Sequence, residues 1–175
     1  MTHPVDDDPA MASAIGRCSN NWTHAETALA MIFMELTGID YAVAVTVFSF
    51  FKSTRTQMSV LKKLAKQVSF MTDELRARLN GSLKAYLSLA EGRNELLHNP
   101  IGRSVEHQVY IMLRSPAPLA GETPYLAKPI SPSEIDALSV KIKELVRELY
   151  DIDRAMGAAR FGAAQAKTAP IISHV

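Results

Sequence analysis

Apolar positions recur every three or four residues through the first part of the chain, and that period predicts a long first helix. Trp22, Ala25, Leu29, Phe33 and Leu36 fall on one face of a helix running roughly from Ala10 to Thr37. Gly38 suits a helix stop, and Asp40 suits the cap of whatever follows. The next segment, YAVAVTVFSFF from Tyr41 to Phe51, reads two ways. Its β-branched Val43, Val45 and Val47 suit a buried strand. The Asp40 cap, and the helical stretch KSTRTQMSVLKKLAKQ that follows without a breaker, suit a second helix, which is the preferred reading.

A third helix begins near Thr72, which can cap it, and carries Leu75, Leu79, Leu83, Tyr86, Leu87, Ala90 and Leu97. It is expected to end at Asn99, because Pro100 disfavours helical geometry in the residue before it. From His107 to Ile130 the texture changes. HQVYIML alternates as a strand does, a Pro- and Gly-containing loop covers Pro116 to Pro124, and the short run YLAKPI follows. This predicts a small β-hairpin or an irregular crossover. The last helix has the clearest start: Ser131 as N-cap, Pro132 as first helical residue and Glu134 as the returning half of a capping box. Ile135, Leu138, Ile142, Leu145, Leu149, Ile152 and Met156 form its apolar stripe. The expected fold is all-α: four or five helices packed as an antiparallel bundle, with a short β-hairpin or irregular insertion before the last helix. Residues 1–9 read as a flexible arm, 10–156 as the bundle, and 157–175 as a frayed tail.

Composition narrows the class further. The 175 residues are 47% hydrophobic and 21% charged, too apolar for a disordered chain and long enough for one domain. A formal net charge of +1 selects no partner by itself, so any argument for an anionic partner must rest on local patches. Cys18 is the only cysteine, which excludes an intramolecular disulfide and a thiolate zinc cluster. The start MTHPVDDDPA lacks the basic and apolar regions of a secretory signal, and the longest apolar run falls well short of the ~20 residues of a membrane span. A cytoplasmic protein without a membrane partner is expected. The sequence also lacks a Gly-rich phosphate loop, a His-Glu-x-x-His motif and a nucleophile elbow, and no cofactor or metal is expected. The eight methionines are scattered as core filler.

One cluster has the ingredients of phosphate chemistry. In RNELLHNP, Arg93 to Pro100, Asn94 and His98 are four apart and share a helix face. Arg93 lies about 140° away from His98 on the wheel, within reach of the same cleft through its long side chain. Leu96 and Leu97 are expected to lock this turn into the core. A guanidinium matches a phosphodiester with a fork of donors, and imidazole is the side chain best suited to exchange protons near neutral pH. On spacing alone, a histidine near a helix end is more often a structural cap than a catalyst.

Arg, a polar residue, a few apolar positions and His, late in a long helix of a small bundle, resemble the motif of HEPN-domain proteins. RNELLH supplies the Arg and His, with Asn94 in the favoured polar place. The resemblance extends loosely over residues 15–155, taking in the Trp22-to-Glu26 part of the first helix, VFSFFKSTRTQMSVL and the closing helix. Asn99 and Pro100 depart from the small residue expected after the histidine. The resemblance implies a metal-independent endoribonuclease, commonly a toxin or defence component, acting as a homodimer, although some members only bind or scaffold. Arg93 and His98 carry over as the catalytic pair, with Asn94 as the supporting polar residue; Asn99 and Glu26 are expected to support the site as its neighbours.

A dimer also follows from the chemistry. Cleaving RNA through its own 2′-hydroxyl needs one group to accept a proton and another to give one, and each chain offers one well-placed histidine. Two copies of His98 across a two-fold axis supply both, with two Arg93 side chains for the phosphorane charge. RNA is then the substrate, and a small neutralising protein is an expected partner of the toxin version.

Between Asp40 and Asp73 there is no acidic residue, yet Lys52, Arg55, Lys62, Lys63 and Lys66 are present. Arg55, Lys62 and Lys66 share a helix face and can hold an RNA backbone; a solvated helix face explains the same stripe. Glu26, four residues after Trp22, is either a buried partner of Arg93 or Arg55, orienting the motif, or lies at the stripe's edge and reaches water. Two competing readings remain: a non-catalytic module that binds RNA, nucleotide or protein, and a nucleotide-binding helper of a transferase-type partner.

Overall fold

The computed structural model describes residues 8–104, 109–114 and 126–168. Among them are five helices and three strands, in the order α1 (Pro9–Thr37), α2 (Tyr41–Ser49), α3 (Thr54–Gln67), α4 (Asp73–His98), β1 (Ile101–Arg103), β2 (Tyr110–Arg114), β3 (Leu126–Ile130) and α5 (Pro132–Thr168). This is the expected all-α class with a small β insertion before the last helix. Contacts divide the chain into two compact units. The first comprises Met1–Thr23 and Ser88–Glu144; the second, His24–Leu87 and Leu145–Val175.

Helix ends follow local chemistry. Asp8 opens α1, its Oδ1 accepting from the backbone N–H of Ala10 at 2.8 Å and of Met11 at 3.2 Å. Gly38 ends α1 with φ +71°, the left-handed conformation in which a Cβ is unfavourable. Asp40 caps α2 by accepting from Ala42 N–H at 2.8 Å, and Thr72 Oγ1 accepts from Leu75 N–H at 3.2 Å to start α4. At α5 the capping box is complete: Ser131 N–H donates to Glu134 Oε2 at 2.8 Å, and Glu134 N–H donates to Ser131 Oγ at 3.3 Å.

In the second unit, the segment from Tyr41 is helical despite its valines. Ala44 and Phe48, four apart, turn into the core, and that packing outweighs a modest propensity cost. The expected single helix through the basic stretch is instead two. Phe50 and Phe51 close α2 with hydrogen bonds to Val47 O and Phe48 O, and Ser53, in extended backbone, caps α3 by accepting from Thr56 N–H at 3.1 Å. The break returns Phe51 to Phe33 and Phe48, with centroid distances of 6.1 and 5.8 Å in edge-on geometry. The rest of this core follows the expected stripes: Leu29, Phe33, Leu79, Leu83, Leu149 and Ile152 are all buried.

In the first unit, α1 and α5 run in the same direction, since Arg17 pairs with Asp136 and Asn21 bonds Ser139 further along both. The three strands form an antiparallel sheet in the order β1-β2-β3, with Ile101 opposite Met112 and Tyr110 opposite Ile130. β2 and β3 are the anticipated hairpin. β1, three residues long, was not anticipated, being too short to carry an alternating pattern. Pro129 is tolerated because β3 is an edge strand. The expected Pro116–Pro124 loop, most of the 1–9 arm and the end of the tail lie outside the described residues. Fraying was expected from residue 157, but α5 continues to Thr168. Its alanines favour helix, and Arg160 reaches Glu35 at 3.3 Å.

Candidate active site

The RNELLHNP motif lies wholly in the first unit, on the last turns of α4 and the step into β1. Ala90 and Leu96 face inward, and Arg93, midway between them at helical spacing, is drawn half under the surface. Its guanidinium carbon lies 5.5 Å from the centroid of the Trp22 ring, and Trp22 itself is buried. Nη1 donates to Asn94 Oδ1 at 3.0 Å. Nε is buried without a hydrogen-bond partner, and within this unit no carboxylate pairs with Arg93 among the described residues. A half-buried guanidinium with a donor to spare is suited to an anionic ligand.

His98 occupies the final helical position and is exposed. The Glu95 carbonyl near the helix end is taken by Asn99, whose Nδ2 donates to it at 2.6 Å. Among the described residues no hydrogen bond engages the imidazole of His98. Asn99 thus holds the helix end through that bond. Arg93 and Asn94 are brought together, and Asn94 shares the helix face of His98. Leu96 locks the turn as expected; the side chain of Leu97 lies outside the description.

Trp22 was anticipated only as a core position. Its role as a platform for Arg93 joins residues 71 positions apart, and no local pattern announces that. Two further features adjoin the motif. Glu95 pairs with Lys128 of β3 at 3.4 Å, beside a cavity of about 130 Å³ lined in part by Gly92, Leu96, Met112 and Leu138. Cys18 is buried, and burial raises its thiol pKa; Arg93 opposes that rise and Asp136 adds to it. A buried, protonated thiol is not a nucleophile.

The remaining expected residues belong to the second unit. Glu26 is exposed. On α3, Arg55 and Lys66 are exposed and Lys62 half-exposed, and none has a carboxylate partner among the described residues. The same unit holds an open cleft of about 630 Å³ lined by Met31, Arg147, Tyr150, Asp151, Asp153 and Arg154. Asp153 is buried and its Oδ1 lacks a hydrogen-bond partner; Glu35 Oε2 has an ion pair with Arg160 at 3.3 Å but no hydrogen bond. Burial first, and the Glu35 carboxylate second, push the Asp153 pKa up, against the pull of Arg154. Among the described residues, no three His, Cys, Asp or Glu side chains gather as a metal ion would require. No single described helix is long and apolar enough to cross a membrane.

No family model, no curated protein and no solved structure matches this chain.

Proposed function

We propose that the protein is a metal-independent endoribonuclease of HEPN type, with a composite site formed by two copies of the chain. The observation that carries this reading is the division of labour at the end of α4. Asn99 caps the helix, while His98 is exposed and has no described hydrogen-bond partner. The Glu95 carbonyl is therefore not held by His98, which supports a chemical role for the imidazole. Arg93 supports the reading as a positive charge steadied on Trp22 and not neutralised by a carboxylate of its unit among the described residues.

In the proposed reaction, one His98 accepts the 2′-hydroxyl proton as the oxygen attacks the adjacent phosphorus. His98 of the second copy donates a proton to the departing 5′-oxygen, and the Arg93 pair stabilises the phosphorane. Asn94 positions Arg93 by accepting its Nη1–H. The stripe of Arg55, Lys62 and Lys66 would follow the RNA backbone, giving salt-sensitive binding. A toxin or defence role, with a small neutralising protein as partner, belongs to the same proposal.

The second reading is a non-catalytic binding module, and the Arg93–Trp22 stack favours it in one respect: such stacks also serve purely to fill a core. The two separate on one experiment. Wild type, Arg93→Ala and His98→Ala are incubated with total RNA and EDTA, and folding is checked by circular dichroism. Cleavage by wild type alone, with both variants folded, is the expected result. An inactive wild type would leave the binding module, and tight nucleotide binding without cleavage would favour a helper of a transferase-type partner.

A further inference from the structure

α2 is apolar over most of its circumference, broken only by Thr46 and Ser49, whose hydroxyls bond back to the helix, yet only Ala44 and Phe48 are buried. Tyr41, Val43, Val45, Val47 and Phe50 are exposed, Phe50 at 75%. A helix this rich in apolar residues is normally enclosed, and an exposed apolar patch of this kind marks a contact surface. Immediately beyond Phe50 the chain turns cationic. Lys52, Arg55, Lys63 and Lys66 are exposed, and no acidic residue occurs between Asp40 and Asp73. Those two bounding acids are already engaged: Asp40 caps α2, and Asp73 pairs with Arg76 at 2.8 Å.

We infer that α2 and α3 together form a peripheral docking surface for an anionic lipid membrane. The aliphatic and aromatic side chains of α2 enter the boundary between headgroups and acyl chains, and the cations of α3 bind the headgroups. Charge decides among the occupants. A second copy seated on α2 about a two-fold axis brings two unneutralised sets of cations toward each other. RNA satisfies the cations but offers nothing to Val43, Val45 and Val47. An anionic bilayer satisfies both halves. Peripheral attachment requires neither a membrane-spanning length nor a large net charge; it does not need the Arg93–His98 site, but it claims Arg55 and Lys66, which the ribonuclease reading gives to RNA.

The test is flotation of the full chain with phosphatidylcholine vesicles, with and without phosphatidylglycerol, at low and high salt. The expected result is binding to the anionic vesicles, weak binding to the neutral ones, and loss of binding at high salt. Phe50→Asp, at a position too exposed to disturb the core, should weaken binding at least about tenfold. Lys52→Gln and Arg55→Gln should each weaken it about fivefold. Absence of flotation with anionic vesicles would overturn the inference. So would flotation unaffected by Phe50→Asp, since α2 would then play no part. A concentration-dependent dimer dissociated by Phe50→Asp, without vesicle binding, would assign the face to a second copy. RNA binding lost in the Lys52→Gln and Arg55→Gln variants, again without vesicle binding, would assign it to nucleic acid.

Discussion

Arg93 lies over the face of Trp22, its guanidinium carbon 5.5 Å from the ring centroid, while one edge of the same group donates to Asn94. The ring gives the cation a π face to rest on and leaves its N–H groups to make hydrogen bonds. One edge is used, and Nε remains without a partner. An arginine so held differs from a lysine at the same place, which has no plane to stack and no fork to present.

Arg93→Lys keeps the charge but loses both the stack and the fork. Under the ribonuclease proposal, cleavage of RNA should fall about tenfold or more, with stability reduced by only about 1–2 kcal/mol. Trp22→Ala should instead cost about 3–5 kcal/mol, because it empties a buried site. Urea denaturation alongside an RNA cleavage assay checks both. Equal activity in wild type and Arg93→Lys would mean that the fork has no chemical role.

Asn99 and His98 should separate structure from chemistry. Asn99→Ala removes the hydrogen bond to the Glu95 carbonyl and should cost about 0.5–1.5 kcal/mol. His98→Ala removes an exposed side chain and should change stability by no more than about 0.5 kcal/mol. Equilibrium unfolding decides the matter: a His98→Ala loss as large as that of Asn99→Ala would restore a capping role to the histidine.

Gly38 carries φ +71°, so Gly38→Ala should destabilise the second unit by about 1–2 kcal/mol even though a Cβ there meets no neighbouring atom. At the other capped junction, Ser131→Ala breaks the capping box and should cost about 1 kcal/mol. Thermal melts of the two variants test these values.

Asp153 supplies a pH dependence of known sign. Its pKa in the folded protein is raised above 3.8, chiefly by burial and then by Glu35. The protonated acid therefore contributes stability that is fully present below pH 3.8 and is lost as the pH rises through the folded-state pKa. Asp153→Asn keeps the shape and removes the charge. It should be more stable than wild type at pH 7 by about 1–3 kcal/mol, the cost of an unsatisfied buried polar group, with a smaller gain at pH 4. Melting curves across that range would show an unchanged difference if the carboxylate were already well solvated.

Helices and their ends were legible wherever the physics is local. A cap joins residues two or three apart, so Asp40, Thr72 and Ser131 announce themselves in the sequence, as does the left-handed Gly38. The inward faces of α1, α4 and α5 were equally plain, because apolar spacing and helix period are the same quantity. The Arg-Asn-His cluster was visible as a spacing. Its meaning was not, since the spacing cannot say whether His98 or Asn99 closes the helix.

Tertiary structure decided the rest. The break at Phe50–Ser53 was missed because Ser53 is a weak signal alone; it gains force when Phe51 can fold back on Phe33, eighteen positions earlier. β1 exists because β2 is there to pair with it. Arg93 found Trp22, and Glu35 found Arg160, across separations of 71 and 125 residues. The apolar surface of α2 likewise became a question only when its side chains were left uncovered. Local hydrogen bonds are set by neighbours along the chain. Packing partners are set by the path the whole chain takes, and no window of sequence contains that path.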